Sequence, residues 1–285
     1  MTDKNSTVDQ PSGPTPLSKS EAHARANEAQ VHAASYRLAA LDSDFLLGDS
    51  MRGVRFLLEY AKAEEALRNW SVRSTIVVFG SARVRENGPG RQANWYEQAR
   101  QFGYIASKRG GALCDEEGAR YNVIATGGGP GVMEAANRGA MEAGAPSIGF
   151  NITLPHEQEP NAYSTPDLTF RFHYFAMRKM HLAMRAKALV VFPGGFGTLD
   201  ELFEILTLTQ TGKAPAIPTI LFDKAYWTSV INFEALIEQG MIAPHDTRLF
   251  EFADDAEEAW RKLISLGLGV SGQLDQRQDD KPNLV

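Results

Sequence analysis

Short apolar runs alternate along the middle of the chain with segments whose apolar residues recur every three or four positions. The runs predict buried strands, and the helical-period segments predict the helices between them. The predicted strands are Thr75–Phe79, Tyr121–Ala125, Ser147–Ile152, Ala188–Phe192 and Pro218–Phe222. The predicted helices are Asn94–Lys108, Gly131–Ala143, Phe175–Ala186, Thr198–Thr211, Tyr226–Glu238 and Asp255–Leu266. This alternation is typical of a three-layer α/β sandwich with a mainly parallel sheet covered on both faces.

The same pattern divides the chain into four segments. Residues 1–34 are polar and rich in Ser, Thr, Pro and Gln, which predicts a disordered tail. Residues 35–73 predict a helical extension, because apolar residues such as Phe56, Tyr60 and Leu67 recur at helical spacing. Residues 74–268 form the predicted α/β domain, and residues 269–285 a second polar tail.

Composition argues against several classes of binding partner and cellular location. The 29 Lys and Arg against 35 Asp and Glu give a net charge of −6, which disfavours a general nucleic-acid or membrane-surface binder. The single cysteine, Cys114, excludes an intrachain disulfide. The apolar runs are far shorter than the roughly 20 residues of a membrane helix, and the first residues lack the apolar core of a secretory signal. We therefore expect a cytoplasmic protein.

Three predicted strands end in small or glycine-rich loops. These loops are Phe79–Arg83, Thr126–Gly131 and Pro193–Thr198. Glycine lets the backbone approach a ligand, and the amides at a following helix N-terminus attract anions. If the loops converge at one sheet edge they predict a phosphate site, whereas the alternative is that the glycines only make tight turns. The candidate binding residues in the loops are Gly80, Ser81, Gly128, Gly129, Gly131, Gly194, Gly195, Gly197 and Thr198.

The loops match neither common nucleotide-binding fingerprint. Val132 and Asp200 stand where a dinucleotide loop would continue with glycine or alanine, and Gly212-Lys213 lacks the surroundings of a Walker A loop. A mononucleotide or sugar phosphate is therefore the favoured ligand. The six histidines show no metal-ligand spacing, so we expect no metal site.

Two charged features near the third loop each allow two interpretations. Thr198 and Glu201 have the spacing of a capping box, but a carboxylate at that point could also stabilise a developing sugar cation. Arg178 and Lys179 could lie on a solvated helix face or could clamp a phosphate or a leaving group.

The segment from Pro193 to Glu201, PGGFGTLDE, resembles the PGGxGTxxE motif of the LOG family. Arg178-Lys179 is similar to the Arg-Lys pair that the family carries on the preceding helix, and the two motifs lie at the family spacing. Gly80-Ser81 and the loop Gly127–Gly131 fit the family as well. The resemblance extends over residues 74–266, and the long lead-in is similar to the longer bacterial (type II) branch.

The resemblance implies a Rossmann-like fold and hydrolysis of the N-glycosidic bond of a nucleoside 5′-monophosphate. The substrate would be AMP or a cytokinin riboside monophosphate, and the products a free base and ribose 5-phosphate. Arg178 and Glu201 would be the catalytic pair, and the loop glycines would hold the phosphate. Further binding residues implied in the same way are Glu134, Glu157, Met177, Lys179 and Thr207.

The resemblance implies no cofactor, and it implies a homo-oligomer of two or more chains. The label "lysine decarboxylase", which such proteins often carry, finds no support in a pyridoxal-phosphate lysine motif. Two alternatives stay open. A carrier of molybdenum cofactor shares a similar glycine motif and would release its ligand intact, and a nucleotide sensor would bind without cleavage. The preferred base cannot be read from these residues.

Overall fold

The computed structural model describes residues 26–114, 116–154 and 159–270. Most of the predicted N-terminal tail and nearly all of the predicted C-terminal tail lie outside these ranges. The chain divides into two compact units between Arg55 and Phe56. Within the described ranges, no helix combines the length and the apolar character needed to cross a bilayer.

Among its described residues, 26–55, the first unit has the short α-helices α1 (Glu28–Val31) and α2 (Ser43–Leu47). Asp42 caps α2 by accepting a hydrogen bond from the Phe45 amide at 3.2 Å. The Arg55 guanidinium donates to the Leu46 and Gly48 carbonyls at 2.8 and 2.7 Å. The third helix, α3 (Arg52–Asn69), continues into the second unit.

A parallel sheet of seven strands forms the second unit. In chain order the strands are β1 (Thr75–Phe79), β2 (Val123–Thr126), β3 (Ser147–Ile152), β4 (Thr169–Phe172), β5 (Ala186–Val191), β6 (Thr219–Phe222) and β7 (Glu251–Ala253). Their order across the sheet is β4-β3-β2-β1-β5-β6-β7, and every neighbouring pair is parallel. The strands β1 to β4 therefore follow one another from the centre of the sheet to one edge. The chain then returns to the centre, where β5 pairs with the other side of β1, and β6 and β7 continue to the opposite edge.

Helices cover both faces of the sheet. The remaining helices are α4 (Gln92–Arg109), α5 (Val132–Glu142), α6 (Phe175–Met184), α7 (Phe196–Gln210), α8 (Lys224–Val230), α9 (Phe233–Glu238) and α10 (Ala256–Ser265). Residues of α4, α5 and α10 form one buried core with alternate strand positions such as Ile76 and Val190. Residues of α3, α6, α7 and α8 form the second core on the other face with Val77 and Leu189. The three-layer, Rossmann-like α/β fold predicted from the pattern is confirmed.

Several predicted elements need correction. β4 and β7 were missed because both are short edge strands in which buried residues such as Phe170 and Phe172 are separated by exposed or partly buried ones, so neither shows a continuous apolar run. The predicted helix Phe175–Ala186 ends two residues earlier, since Ala186 already belongs to β5. The predicted helix Tyr226–Glu238 is two helices, because Asn232 caps α9 by accepting from the Ala235 amide at 3.0 Å.

Candidate functional site

The site lies where the strand order reverses, between β1 and β5. Here the loops that follow the two strands are in direct contact. The Ser81 amide donates to the Pro193 carbonyl at 3.0 Å, and the Phe192 amide donates to the Phe79 carbonyl at 2.8 Å. Ligands of open α/β sheets bind outside the carboxyl ends of the strands at such a reversal, because the helices on its two sides diverge there.

The glycine loop after β2 packs against the same place. The Val132 amide donates to the Ser81 carbonyl at 3.2 Å. A Cβ on Gly80 would lie 2.6 Å from Val132 Cγ1, and a Cβ on Gly131 would collide with the Ser81 carbonyl. Gly131 also has φ +73°, which side chains rarely adopt. Packing between the loops therefore requires glycine at these two positions whether or not a ligand binds.

Gly128 and Gly129 are fixed by a buried amide network. The Gly128 amide donates to Thr126 Oγ1 at 2.9 Å, and its carbonyl accepts from the Asn161 amide at 2.8 Å. The Asn161 side chain donates to the Gly129 carbonyl at 3.1 Å and to Asn137 Oδ1 at 3.0 Å. Asn161 thus ties the loop after β3 to the loop after β2, a link the sequence reading missed.

The loop after β5 leads into an open helix N-terminus. Gly195 is the N-cap of α7, and no side chain caps the helix. Gly195, Phe196 and Gly197 are exposed, with Phe196 92% exposed. The first amides of a helix have no intrahelical acceptor and carry the positive end of its dipole. Its backbone is the most exposed of the three loops, which makes this turn the candidate for binding an anion.

The predicted capping box of Thr198 and Glu201 is wrong. Helix α7 begins at Phe196, so Thr198 already lies inside the first turn and its amide donates to the Gly195 carbonyl at 3.0 Å. The Thr198 side chain instead folds against Gly194, where a Cβ would collide with its hydroxyl. Glu201 is left free to make a different contact.

Glu201 pairs with Arg178. Arg178 Nη2 lies 2.6 Å from Glu201 Oε1, and the two side chains are 13% and 5% exposed. Burial raises the pKa of Glu201 above its ordinary value, while Arg178 and Lys179 act in the opposite direction. The guanidinium also lies 5.3 Å from the centre of the Phe175 ring. A Cβ on Gly127 would lie 3.8 Å from Arg178 Nη1, so the pair borders the loop after β2.

Lys179 forms ion pairs with two other carboxylates of α7. Its Nζ lies 2.7 Å from Asp200 Oδ2 and 3.0 Å from Glu204 Oε2. Burial opposes protonation of Lys179, but the hydrogen bonds to the two carboxylates outweigh it and raise the pKa of the amine. Binding of substrate by Lys179 stays a prediction, and it would require exchange of these partners.

An open groove of about 560 Å³ runs along α7 beside Lys179. Thr207 lies in it, six residues beyond Glu201 on the same helix. Its lining residues are Lys179, Phe196, Leu199, Asp200, Phe203, Glu204, Thr207 and Leu208. Thr207 is thus on the same helix as the buried carboxylate but on the groove side.

The remaining predicted binding residues are spread around the site. The Glu134 carboxylate, in the first turn of α5, accepts a hydrogen bond from the buried Tyr96 hydroxyl at 2.7 Å. Burial and this carboxylate raise the pKa of Tyr96. Met177 is partly buried against the core. Glu157 lies outside the described residues. Binding roles for Glu134, Met177 and Glu157 therefore stay predictions.

Sequence reasoning also missed a contact behind the phosphate-loop candidate. The Tyr226 hydroxyl donates to the Gly194 carbonyl at 2.8 Å. Asp223 holds Tyr226 by accepting from its amide at 3.0 Å, and Asp223 also accepts from the Trp95 indole at 2.7 Å. Nothing in the local pattern around Tyr226 indicates a partner in another loop, so no sequence signal could have found it.

Fold and site define a class: a Rossmann-like α/β protein with an exposed helix N-terminus and a largely buried Arg–Glu pair where its strand order reverses. A family model described as "Possible lysine decarboxylase" matches residues 133–263. Curated LOG proteins match over a longer stretch. Over these residues the chain is similar to the LOG family.

Two relatives illustrate the likeness. Cytokinin riboside 5′-monophosphate phosphoribohydrolase LOG7 of Arabidopsis thaliana is 26% identical over 177 residues, 61% of this chain and 76% of the relative. The probable cytokinin riboside 5′-monophosphate phosphoribohydrolase LOG4 of Oryza sativa subsp. japonica is 27% identical over 192 residues, 66% of this chain and 76% of the relative.

One solved structure with a similar fold is the molybdenum cofactor binding protein from the phototrophic bacterium Rippkaea orientalis. It is 21% identical, with 68% of this chain and 98% of that chain covered and a TM-score of 0.44.

Proposed function

We propose that this protein hydrolyses the N-glycosidic bond of a nucleoside 5′-monophosphate to a free base and ribose 5-phosphate. The observation that carries the proposal is the buried pair of Arg178 and Glu201, 2.6 Å apart, beside the open N-terminus of α7. The site thus offers an anion-binding turn and a buried carboxylate next to each other. A phosphorylated sugar needs the first, and cleavage of its glycosidic bond needs the second.

The 5′-phosphate would bind at the first turn of α7. The exposed backbone of Gly195 and Gly197 allows close approach, and the uncommitted amides there donate to phosphate oxygens. Ser81 borders the same turn through its contact with Pro193. Bound there, the phosphate would hold the ribose over the Arg178–Glu201 pair.

Glu201 would act on the sugar. Breaking the bond between C1′ and the base nitrogen builds positive charge on the ribose ring, as in other glycoside cleavages. A buried carboxylate stabilises that charge strongly, because little water screens it. Glu201 would also orient the water whose oxygen bonds to C1′ and whose proton ends on the departing base. Arg178 would keep Glu201 ionised and stabilise the leaving base.

The name of the family model raises a second reaction, decarboxylation of lysine. A pyridoxal-phosphate enzyme needs a lysine whose amine can become neutral and bond to the cofactor. Lys179, the lysine at this site, is held by Asp200 and Glu204 and its pKa is raised. The residues at this site do not fit that cofactor, and we derive no step through it.

The test is base release from AMP, isopentenyladenosine monophosphate, GMP and CMP in the presence of EDTA, quantified by chromatography. We expect release by the wild type and a loss of at least about 100-fold in Glu201→Gln, the scale of removing one electrostatic contact in a transition state. The exposed Glu234 supplies a matched control, Glu234→Gln, which should keep wild-type turnover.

No release from any nucleotide by the folded wild type would overturn the proposal and leave the carrier and sensor alternatives. The ranking of the four substrates would assign the preferred base. We also propose that the protein is a homo-oligomer in the cytoplasm, which light scattering on the purified protein and cell fractionation would test.

A further inference from the structure

Helix α6 carries Arg178 and Lys179 but is anchored mainly through its second half. Its buried residues are His181 and Leu182. Residues 175–180 are exposed or only partly buried, and Phe175 is 50% exposed. Met177 packs partly buried against the core, but its neighbours in the turn from which Arg178 reaches Glu201 add little core packing. Some other contact has to hold that turn.

The contact comes from α3, in the part of the helix that belongs to the second unit. Glu59 Oε1 accepts from the His173 amide at 2.8 Å, and Glu59 Oε2 accepts from the Tyr174 amide at 3.3 Å. Tyr174 is the N-cap of α6, so this carboxylate lies at the positive end of the helix. The Phe56 ring adds an edge-on contact with the Tyr174 ring at 4.3 Å between centres.

The same helix also holds the other end of α6. The Arg185 guanidinium, at the C-cap, makes two hydrogen bonds of 2.8 Å to the Glu64 carboxylate. These bonds lower the pKa of Glu64 to about 2. Between the two ends, the Tyr60 ring stacks on His181 with 5.4 Å between ring centres. Helix α3 therefore contacts α6 at its N-terminus, its middle and its C-terminus.

We propose that Glu59 is a positioning residue for Arg178. The Arg178 amide donates to the Tyr174 carbonyl at 3.3 Å, so Glu59 holds the amide of the residue that lies one helical turn before the arginine. Arg178 meets Glu201 across two helices, and only a fixed α6 keeps that 2.6 Å contact. This inference rests on the proposed function, and it gives the N-terminal helical extension a role in catalysis.

The first test measures the helix without reference to activity. Hydrogen–deuterium exchange of residues 173–180 would be compared in the full-length wild type, Glu59→Ala, Glu59→Gln and Glu65→Ala. We expect about tenfold faster exchange in Glu59→Ala, equivalent to about 1.4 kcal/mol. Glu59→Gln keeps an acceptor oxygen, so its exchange rate should lie between those of the wild type and Glu59→Ala. Glu65, exposed on the same helix, should have no effect. Unchanged exchange in Glu59→Ala would overturn the inference.

The second test is the split between kcat and KM. The phosphate is held by α7, so loosening α6 should lower kcat about tenfold and leave KM within about threefold. Assays well below the unfolding temperature separate this from a loss of folded protein. Faster exchange with unchanged kcat would overturn the positioning role while the proposed function stands. A folded wild type that releases no base overturns the proposed function, and this inference with it.

Discussion

Arg178 and Glu201 form a buried ion pair at 2.6 Å although 23 residues separate them in the chain. They lie on α6 and α7, and the pair forms because both helices begin at the carboxyl edge of the parallel sheet, α6 after β4 and α7 after β5. Removing one partner of a buried pair leaves an uncompensated charge, which usually costs about 3–5 kcal/mol unless the remaining group changes its protonation state.

The first prediction concerns Arg178. Arg178→Gln should lower base release by at least about 100-fold, because a neutral amide neither keeps Glu201 ionised nor stabilises the leaving base. Arg178→Lys keeps the charge but loses the planar donor geometry, so its activity should lie between. The measurement is kcat/KM with the best nucleotide. Equal activity of Arg178→Gln and the wild type would exclude Arg178 from catalysis.

The second prediction is a pH profile. Burial raises the pKa of Glu201, so the carboxylate takes up a proton at a higher pH than an ordinary glutamate does. If the ionised form is required, kcat/KM falls as pH falls through this raised pKa. A fall with rising pH instead would assign Glu201 as a general acid. Arg178 lowers this pKa, so Arg178→Lys, with its charge less well placed, should move the acid limb to higher pH.

The third prediction concerns Tyr226. Tyr226→Phe removes the hydrogen bond to the Gly194 carbonyl, which should cost about 1 kcal/mol of stability. Because Gly194 leads into the first turn of α7, KM should rise a few-fold while kcat changes less. Thermal unfolding and steady-state kinetics measure both effects. Tyr104 is exposed on α4, and Tyr104→Phe is the control. Identical KM values for the two variants would contradict this account.

The fourth prediction distinguishes the two reasons why a position requires glycine, a positive φ angle and a close contact with another loop. Gly131 and Gly144 have φ of +73° and +76°, but an added Cβ collides with the Ser81 carbonyl at Gly131 and meets nothing within 4 Å at Gly144. Gly144→Ala should cost about 1–2 kcal/mol, the left-handed penalty alone. Gly131→Ala should cost clearly more, since the loops after β1 and β2 must also separate. Urea denaturation of both variants gives the comparison, and equal losses would show that loop packing adds nothing.

The sequence pattern located β1, β3 and most of β5 because buried parallel strands are continuous apolar runs, and such runs are visible without knowledge of their neighbours. It missed β4, TFRF, because an edge strand buries only one side. It placed the start of α7 two residues late, since a capping pattern is local and Gly195 ends the loop earlier than Thr198. The pairing of Glu201 with Arg178 was implied by the family resemblance and not by local spacing, and the catalytic role of the pair stays a prediction.

By itself, then, the sequence determined the α/β class, the three glycine loops and the motif residues that mark the family, because each is written in neighbouring positions. The tertiary structure decided which side chains meet: Glu201 with Arg178, Lys179 with Asp200 and Glu204, Tyr226 with Gly194, and Glu59 with Tyr174. In each case the partners lie on different elements, and their distances depend on how the helices pack on the sheet. Local propensity does not contain that information, because packing against distant residues sets it.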